Sequence, residues 1–481
     1  MSELSNPDLA PTTPAQRTWS TWHIAALWIG MAVCIPTYTL AAGMIAQGMA
    51  WWQAVLTVML GNLIVLIHMV LNGHAGAKYG IPFPVLMRAS FGTVGANIPA
   101  LARALVACGW FGIQTWIGGA AIYQIAGALH WIDMGVEASR TTALGITPWQ
   151  LVCFMAFWLV NLHFVWHGIN SIRWLESWAA PFLIVAGLAL LVWAAIRVGS
   201  VAELFSQGSR FKEGSGFWKV FVPQLTAMVG FWATLSLNIP DFTRYARSQK
   251  AQVVGQALGL PSTMTLFAFI GIAVTQATVI LYGNAIWDPV ELVTKLGSPV
   301  VIVLALFALS VATLSTNIAA NVVSPANDFS NLAPSRISFR TGGLITAVVG
   351  VLMMPWYLYN NLGAYIFTWL IGYSALLGPI AGIMLCDYYL IRRTRLDVDA
   401  LYNHTGMYKR WNWRALVALL VAVAPNLPGF INAATHTETF PPVYDTIYGY
   451  AWFVGLFVGM GVYYALMGGT ARTVHNDDPT P

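Results

Sequence analysis

Two tryptophans and a glutamine are the side chains in this sequence best suited to hold a flat organic ring. Trp110 and Gln114 lie four residues apart in GWFGIQTW, so on a helix they share one face, and Gly118 leaves space one turn further along. Stacking of a planar ring on an indole contributes about 1 to 3 kcal/mol, and a carboxamide can both donate to a ring carbonyl and accept from a ring N–H. Trp232, two residues after Gly230, is placed to cover the second face of such a ring. The competing explanation is that these tryptophans only pack the interior.

A second group of polar side chains occurs in the segment TLSTNIAAN. At 100° per residue, Ala312, Ser315 and Thr316 share one side of a helix, whereas Asn317 and Asn321 share nearly the opposite side. Hydroxyl and main-chain carbonyl oxygens are ligands for hard cations such as sodium, so the first side predicts a cation site. The second side predicts that Asn321 contacts a bound solute. The alternative is that Ser and Thr bond back to their own helix and Asn bridges to a neighbour.

These residues belong to a chain with the composition of a membrane protein. Of 481 residues, 58% are hydrophobic and 9% are charged, whereas soluble proteins carry about 25% charged residues. No long polar linker interrupts the apolar stretches, which indicates a single membrane domain. The net charge of +5 is spread between apolar segments rather than gathered on one face, so we expect no nucleic-acid partner.

Twelve segments are long and apolar enough to cross a hydrocarbon core about 30 Å thick. They cover residues 21–47, 51–72, 98–129, 148–168, 174–196, 216–238, 255–282, 298–322, 341–354, 359–390, 414–432 and 447–468. Most of the 23 Lys and Arg residues fall on one side of the membrane if both termini are cytoplasmic. The sequence therefore predicts an all-α membrane protein with a disordered cytoplasmic tail over 1–19, a cytoplasmic loop over 391–413 and a cytoplasmic tail over 469–481.

The first and sixth helices carry helix-breaking residues at comparable positions. Gly30 precedes CIPTY, which begins at Cys34, and Gly230 precedes NIPDF, which begins at Asn238. Because proline removes a backbone donor, each helix can open in mid-membrane, and the carbonyls of Gly30 and Val33 would then join the cation site. Breaks five helices apart predict two inverted five-helix repeats over 20–390 that rock against each other, followed by two further helices over 414–468. The alternative is that Pro and Gly are simply common in membrane helices.

Charged and reactive groups are scarce within the apolar segments. Glu176, Asp241 and Asp387 fall near helix ends, and Arg103 is expected to extend its side chain to the cytoplasmic surface. Since intramembrane carboxylates are the usual proton relays, their absence favours sodium over a proton and a neutral solute over a charged one. No paired carboxylates, HExxH or GxSxG motif occurs, so no enzyme activity is expected. The four cysteines lack metal-site spacing and are predicted to be free thiols.

The chain resembles the bacterial branch of the nucleobase:cation symporter family along nearly its whole length. The resemblance rests on ordered motifs, among them NGHAGAKYGIPFPVLMRASFGTVGANIPALARAL, GWFGIQTWIGG, NIPDFTRYA, TLSTNIAANVVSPANDFSN and LLGPIAGIMLCDYYLIRR. It implies the LeuT-like five-plus-five inverted fold with two further helices, in the bacterial inner membrane, functional as a monomer and without a bound cofactor other than the transported ion. It also implies stacking on Trp110 and Trp232, substrate contacts from Gln114 and Asn321, and sodium ligation by Gly30, Val33, Ala312, Ser315 and Thr316.

Two positions depart from the hydantoin-transporting members of that family. Cys34 replaces a glutamine in the broken part of the first helix, and Phe231 replaces a glycine before the tryptophan of the sixth. A lost amide and a narrower pocket favour a small planar pyrimidine, uracil first, with hydantoin and allantoin close behind. The alternatives are a proton-coupled allantoin or purine permease, an amino-acid transporter of the same fold, and a membrane sensor that binds without transporting.

Overall fold

The computed structural model describes residues 3–167, 169–211 and 214–476, and the regular elements in those ranges are helices apart from one isolated bridge between Trp19 and Ala246. The spanning helices are α1 (Thr21–Ala32 and Ile35–Ala46), α2 (Trp51–Tyr79), α3 (Asn97–Ala128), α4 (Pro148–His167), α5 (Ile169–Val198), α6 (Gly214–Phe231 and Ala233–Asn238), α7 (Gln249–Tyr282), α8 (Pro299–Asn321, continued by Val323–Leu332), α9 (Phe339–Leu352), α10 (Ala364–Ile391), α11 (Trp413–Thr435) and α12 (Ala451–Asn476). The twelve predicted helices are therefore present. Residue 168 and residues 477–481 of the predicted carboxy-terminal tail lie outside the described residues.

Helices α3 and α10 form the centre of the bundle. Of their most apolar stretches, 83% and 89% of the residues are buried, compared with 28% for α4 and for α12 at the periphery. Both central helices contact α6, and α3 also packs along α8. A side chain on the inner face of α3 is therefore shielded from lipid on every side and can face only other helices or an internal cavity.

The predicted break in α1 is present. Its two halves are bent by 59°, and Val33 has left the helical region with φ −81° and ψ 81°. The N–H of Cys34 donates to the carbonyl of Ala32 at 3.0 Å rather than to that of Gly30. Pro36 suits the first turn of the second half because its missing N–H would have had no helical acceptor there.

Helix α6 is interrupted at Trp232, earlier than the Asn238–Pro240 motif alone would indicate. Trp232 has φ −99° and ψ 8°, and its N–H bonds three residues back to Val229. Pro240 instead begins a short helix, Pro240–Thr243, where proline is tolerated. Gly230 has a packing role, because a Cβ at that position would overlap the Ser374 hydroxyl of α10.

The amino-terminal segment is packed against the bundle, so the prediction of a disordered tail over 1–19 is wrong for the described part, residues 3–19. Leu9 is fully buried, and its carbonyl accepts a hydrogen bond from Tyr402 at 2.6 Å. The Thr12 hydroxyl donates to the carbonyl of Arg244 at 2.6 Å. The docking of this segment was not predicted from the sequence because its hydrogen bonds are made mostly through main-chain carbonyls. Every residue has such a carbonyl, so no pattern of residue types indicates which ones are bonded.

A buried arginine anchors the start of this segment. Arg88, in the short helix Phe83–Phe91 between α2 and α3, donates to the carbonyls of Leu4 at 2.9 Å and Leu401 at 3.2 Å and to Asn331 Oδ1 at 2.6 Å. Burial lowers the pKa of the Arg88 guanidinium to about 10, so it remains charged at pH 7. One cation thus joins the amino-terminal segment, the end of α8 and the loop after α10.

Arg103 does not extend to the surface as predicted. Its side chain is fully buried, and Nη1 lies 3.3 Å from Oδ2 of Asp328 in the continuation of α8. The Asp328 side chain is also fully buried. Helix α8 runs for 34 residues, about 51 Å, which is longer than a hydrocarbon core of about 30 Å, and Asp328 lies near its end. The prediction failed because α8 was expected to end at residue 322, which left Arg103 without its partner.

The other acidic residues named from the sequence also lie at helix ends. Asp387 accepts from Arg392 Nε at 2.7 Å at the end of α10, and Asp241 accepts from the N–H of Phe83 at 2.8 Å. The Glu176 side chain lies outside the described residues. The four cysteines are free and buried, as predicted.

Candidate binding site

An internal cavity lies where the interruptions of α1 and α6 face α3 and α8. It is small, about 20 Å³, which is room for little more than one water molecule and well below the usual range for small-molecule pockets. Its lining consists of Met31, Cys34, Trp110, Gln114, Phe231, Trp232, Thr234, Leu235, Thr316, Ala320 and Asn321. The structure therefore brings together all six residues predicted to contact a solute, and it adds Thr316 from the predicted cation site.

Four lining residues were not predicted from the sequence. Met31 precedes the break in α1, and Ala320 is next to Asn321. Thr234 and Leu235 follow the interruption of α6, where the short helix Ala233–Asn238 turns them toward the cavity. Thr234 and Leu235 could have been identified from the sequence by their position just after Trp232 in a helix that was predicted to be broken.

Phe231 lies against both indoles of the site. Its ring meets that of Trp110 at a centroid distance of 5.3 Å and 78°, and that of Trp232 at 5.0 Å and 90°. Trp232 also contacts Trp28 edge to face at 5.2 Å. Such edge-on contacts are favourable for aromatic pairs, so Phe231 narrows the slot in which a ring could stack on Trp110 or Trp232.

Three aromatic side chains of α10 form the wall behind Trp110. Tyr365, Trp369 and Tyr373 approach its indole edge to face, with centroids 6.1, 6.0 and 6.5 Å away. Gly109 permits this packing, because a Cβ there would overlap the Trp369 ring. Their spacing of four residues in YIFTWLIGY is the signal that could have identified this wall from the sequence.

Two polar atoms at the cavity are buried and lack a partner among the described residues. They are the side-chain oxygen Oε1 of Gln114, an acceptor, and the indole Nε1 of Trp232, a donor. Buried polar groups normally have hydrogen-bond partners, and leaving one unmade is costly. A ligand that carries both an N–H and a carbonyl could satisfy both. Cys34 adds a weakly polar thiol, 3.2 Å from the Thr37 hydroxyl.

The five residues predicted to ligate sodium lie on two helices in contact, α1 and α8. At the α1 break, the Gly30 carbonyl has lost its usual helical donor, the N–H of Cys34, and a Cβ on Gly30 would meet nothing within 4 Å. The carbonyl of Val33 precedes the first hydrogen bond of the second half, which Cys34 accepts from Tyr38. Neutral carbonyl oxygens released from helical hydrogen bonds are ligands that suit a hard cation.

On α8, the residues of this set are Ala312, Ser315 and Thr316, all of which are buried. The Thr316 hydroxyl donates to the Ala312 carbonyl at 3.2 Å, a bond back to its own helix. The Thr316 oxygen keeps its lone pairs for a cation, whereas the Ala312 carbonyl also accepts the helical N–H of residue 316 and would have to give up one bond to bind a cation. Thr316 also lines the same cavity as Asn321. Thr316 from one side of α8 and Asn321 from the other therefore line the same cavity, whereas Ala312, Ser315 and Asn317 do not.

The comparisons with known proteins agree on one family. The sequence profile of a family described as "Permease for cytosine/purines, uracil, thiamine, allantoin" matches residues 11–455. The chain is 45% identical over 474 residues to the purine-uracil permease NCS1 of Arabidopsis thaliana, covering 98% of this chain and 78% of the relative. It is 40% identical over 470 residues to the allantoin permease of Bacillus subtilis (strain 168), covering 97% and 94%.

A solved structure supports the same assignment. A nucleobase-cation-symport-1 family transporter, solved in a closed conformation with bromovinylhydantoin bound, matches with a TM-score of 0.78 at 28% identity, over 98% of this chain and 96% of that one. The predicted LeuT-like fold, with five-plus-five inverted repeats and two further helices, is thereby confirmed, as is the prediction of a transporter rather than an enzyme. The chain belongs to the nucleobase:cation symporter family of multi-pass membrane permeases.

Proposed function

We propose that this protein is a symporter that imports uracil, or a closely related cyclic ureide, together with sodium by alternating access. The observation that carries the proposal is the cavity itself, in which an indole face, an unpartnered amide oxygen and an unpartnered indole N–H converge beside the open helix α1. It would operate as a monomer in the bacterial inner membrane with both termini in the cytoplasm.

The chemistry of the lining supports a small neutral ring. Uracil carries ring N–H groups for Gln114 Oε1 and Asn321 and carbonyls for Trp232 Nε1, and the eleven lining residues include no charged side chain. Phe231 restricts substituents on the ring, and Cys34 provides a thiol where a larger ureide would need an amide. This order, with uracil before hydantoin and allantoin, accords with the name of the purine-uracil permease that is 45% identical.

Sodium coupling is supported by the oxygens around the α1 break. The carbonyls of Gly30, Val33 and Ala312 and the hydroxyls of Ser315 and Thr316 would form a neutral ligand set, and Thr316 also lines the solute cavity. A cation held there would tie α1, which carries one wall of the cavity, to α8, which carries another. Solute and ion binding would then stabilise the same closed arrangement, which is the basis of coupled transport.

Uptake in proteoliposomes tests the proposal directly. Purified protein should accumulate labelled uracil when sodium is high outside, with little accumulation when choline replaces sodium, and excess hydantoin and allantoin should compete more weakly than uracil. Accumulation driven equally well by a proton gradient without sodium would reject sodium coupling. No saturable uptake of any of the three rings would reject the substrate class.

Two pairs of variants separate the roles of the sites. Gln114→Leu should weaken uracil binding about tenfold, the equivalent of one buried hydrogen bond, whereas Gln124→Leu, on the same helix away from the cavity, should not. Thr316→Val should raise the sodium concentration needed for half-maximal uptake. Its control is Thr346→Val, which removes a hydroxyl that likewise bonds to its own helix, at the Gly342 carbonyl.

A further inference from the structure

A chain of buried side-chain amides runs from helix α4 through α8 to the cavity. Asn161 Oδ1 accepts from Asn317 Nδ2 at 3.0 Å, and Asn317 Oδ1 accepts from Asn321 Nδ2 at 3.0 Å. Asn161 and Asn317 are fully buried, and neither lines the cavity, whereas Asn321 does. The chain therefore links the cavity to a helix that does not line it.

Main-chain carbonyls fix the direction of this chain. Asn161 Nδ2 donates to the carbonyl of Phe157 at 2.9 Å, and Asn317 Nδ2 donates to the carbonyl of Phe111 at 3.2 Å. A carbonyl can only accept, so each of these amides must place its nitrogen toward that carbonyl and its oxygen on the other side. Rotation of either amide by 180° would set oxygen against oxygen at a buried site, at the cost of a lost hydrogen bond.

Thr115 reinforces the same direction. Its hydroxyl donates to the Phe111 carbonyl at 2.7 Å, so its oxygen is free to accept from Asn317 Nδ2 at 3.2 Å. Three acceptors thus surround the Asn317 nitrogen. The Asn317 oxygen is left for Asn321, which must donate with its nitrogen.

We propose that Asn317 and Asn161 are positioning residues that hold the Asn321 amide in one orientation, so that the site selects rings by the order of their donor and acceptor groups. This inference rests on the proposed function and names what that site would distinguish. With Asn321 fixed, its oxygen and remaining N–H face the solute in a set order. For a ring held in one pose by Gln114 and Trp232, that order complements the N3–H and C4=O edge of uracil and opposes the corresponding edge of cytosine, where an unprotonated N3 lies next to an amino group.

The test measures a ratio of affinities rather than one affinity. The dissociation constants of purified protein for uracil and for cytosine are determined by quenching of tryptophan fluorescence in wild type, Asn317→Leu and Asn161→Leu. Because both ligands are measured on the same sample, loss of folded protein cancels from the ratio. Wild type should favour uracil, and Asn317→Leu should reduce that preference about tenfold, since the freed amide can then rotate to suit either ring.

Asn161→Leu and a matched control complete the experiment. Asn161→Leu should reduce the preference less than Asn317→Leu, because Phe111 and Thr115 still orient Asn317, and it decides the question if Asn317→Leu does not fold. Asn62→Leu removes a buried amide that likewise bonds to its own helix, at Val58 in α2, and should leave the ratio unchanged. The positioning role would be overturned if Asn317→Leu and Asn161→Leu both kept the wild-type ratio of dissociation constants, with uracil and cytosine bound more weakly to the same degree. Failure of wild type to bind any pyrimidine or ureide would instead overturn the proposed function, and this inference with it.

Discussion

At the scale of single residues, Phe231 is the side chain most directly responsible for the size of the site. Because its ring contacts both Trp110 and Trp232 edge to face, it occupies volume that a substituent on the solute would need. We expect Phe231→Ala to bind hydantoins with bulky 5-substituents at least about tenfold more tightly and to bind uracil more weakly, since the small ring loses contacts. Competition against labelled uracil measures both effects.

The matched control for this change is Phe221→Ala in the same helix, where Phe221 stacks on Phe217 at 5.2 Å, outside the cavity. It should leave the order of ligands as in wild type. If Phe231→Ala also kept the wild-type order of ligand affinities, Phe231 would not set the size of the site. The aromatic wall of α10 would then be the next candidate.

The ion pair between Arg103 and Asp328 makes a prediction about stability. Both side chains are fully buried, so Arg103→Gln would leave an unpaired buried carboxylate and should destabilise the protein by about 3 to 5 kcal/mol. Thermal unfolding in detergent would show this as a lowered Tm, and the double variant with Asp328→Asn should recover most of the loss. Arg140→Gln, which removes a 62% exposed partner of Glu137, should cost about 1 kcal/mol or less. Equal losses for the two arginines would contradict this account.

At the scale of secondary-structure elements, the break in α1 links local geometry to ion binding. Pro36 cannot donate a backbone hydrogen bond, which favours the restart of the helix after Cys34. Pro36→Ala restores that donor and allows a more continuous helix, in which the N–H of Cys34 would return to the Gly30 carbonyl. The sodium concentration for half-maximal uptake should rise about fivefold, the equivalent of roughly 1 kcal/mol. Pro99→Ala, in the first turn of the uninterrupted helix α3, should not change it.

The elements also mark the limit of what could be predicted from the sequence. The twelve helices and the break near Cys34 follow from apolar length and from proline chemistry, which are local properties. The cavity residues Trp110 and Gln114 follow from helical spacing. The pairing of Arg103 with Asp328 joins positions 225 residues apart, and no local pattern specifies such a contact. Phe231 could be named as a pocket residue, but its contact with both indoles depends on how α3 and α6 are placed together.

At the scale of the whole molecule, the amino-terminal segment and Cys34 together allow a test of closure on the side of the membrane where that segment lies. Thr12 and Arg17 of the segment donate to main-chain carbonyls at the end of α2, and Thr12 also donates to the carbonyl of Arg244, just beyond α6. The Leu9 carbonyl accepts a hydrogen bond from Tyr402 in the loop after α10. Thr12→Val should therefore open this side of the protein more often. In a protein whose other three cysteines are replaced by serine, an impermeant maleimide added on this side should react faster with Cys34. The rate should rise about tenfold for each 1.4 kcal/mol of lost stabilisation.

Thr13→Val is the matched control, because Thr13 is exposed and its hydroxyl bonds only locally to Gln16. It should leave the alkylation rate unchanged. Saturating uracil should slow alkylation in every variant, since Cys34 lines the proposed solute cavity. If Thr12→Val and Thr13→Val reacted at the same rate, the amino-terminal segment would have no part in closure.

The docking of this first segment also has a consequence for biogenesis. Leu9 is synthesised before its partner Tyr402, which lies 393 positions later. At about 5 to 20 residues per second, the two are synthesised about 20 to 80 s apart. Throughout that interval the segment around Leu9 lacks its final hydrogen-bond partner. The surface that the amino-terminal segment helps to form can therefore be completed only after Tyr402 has been synthesised.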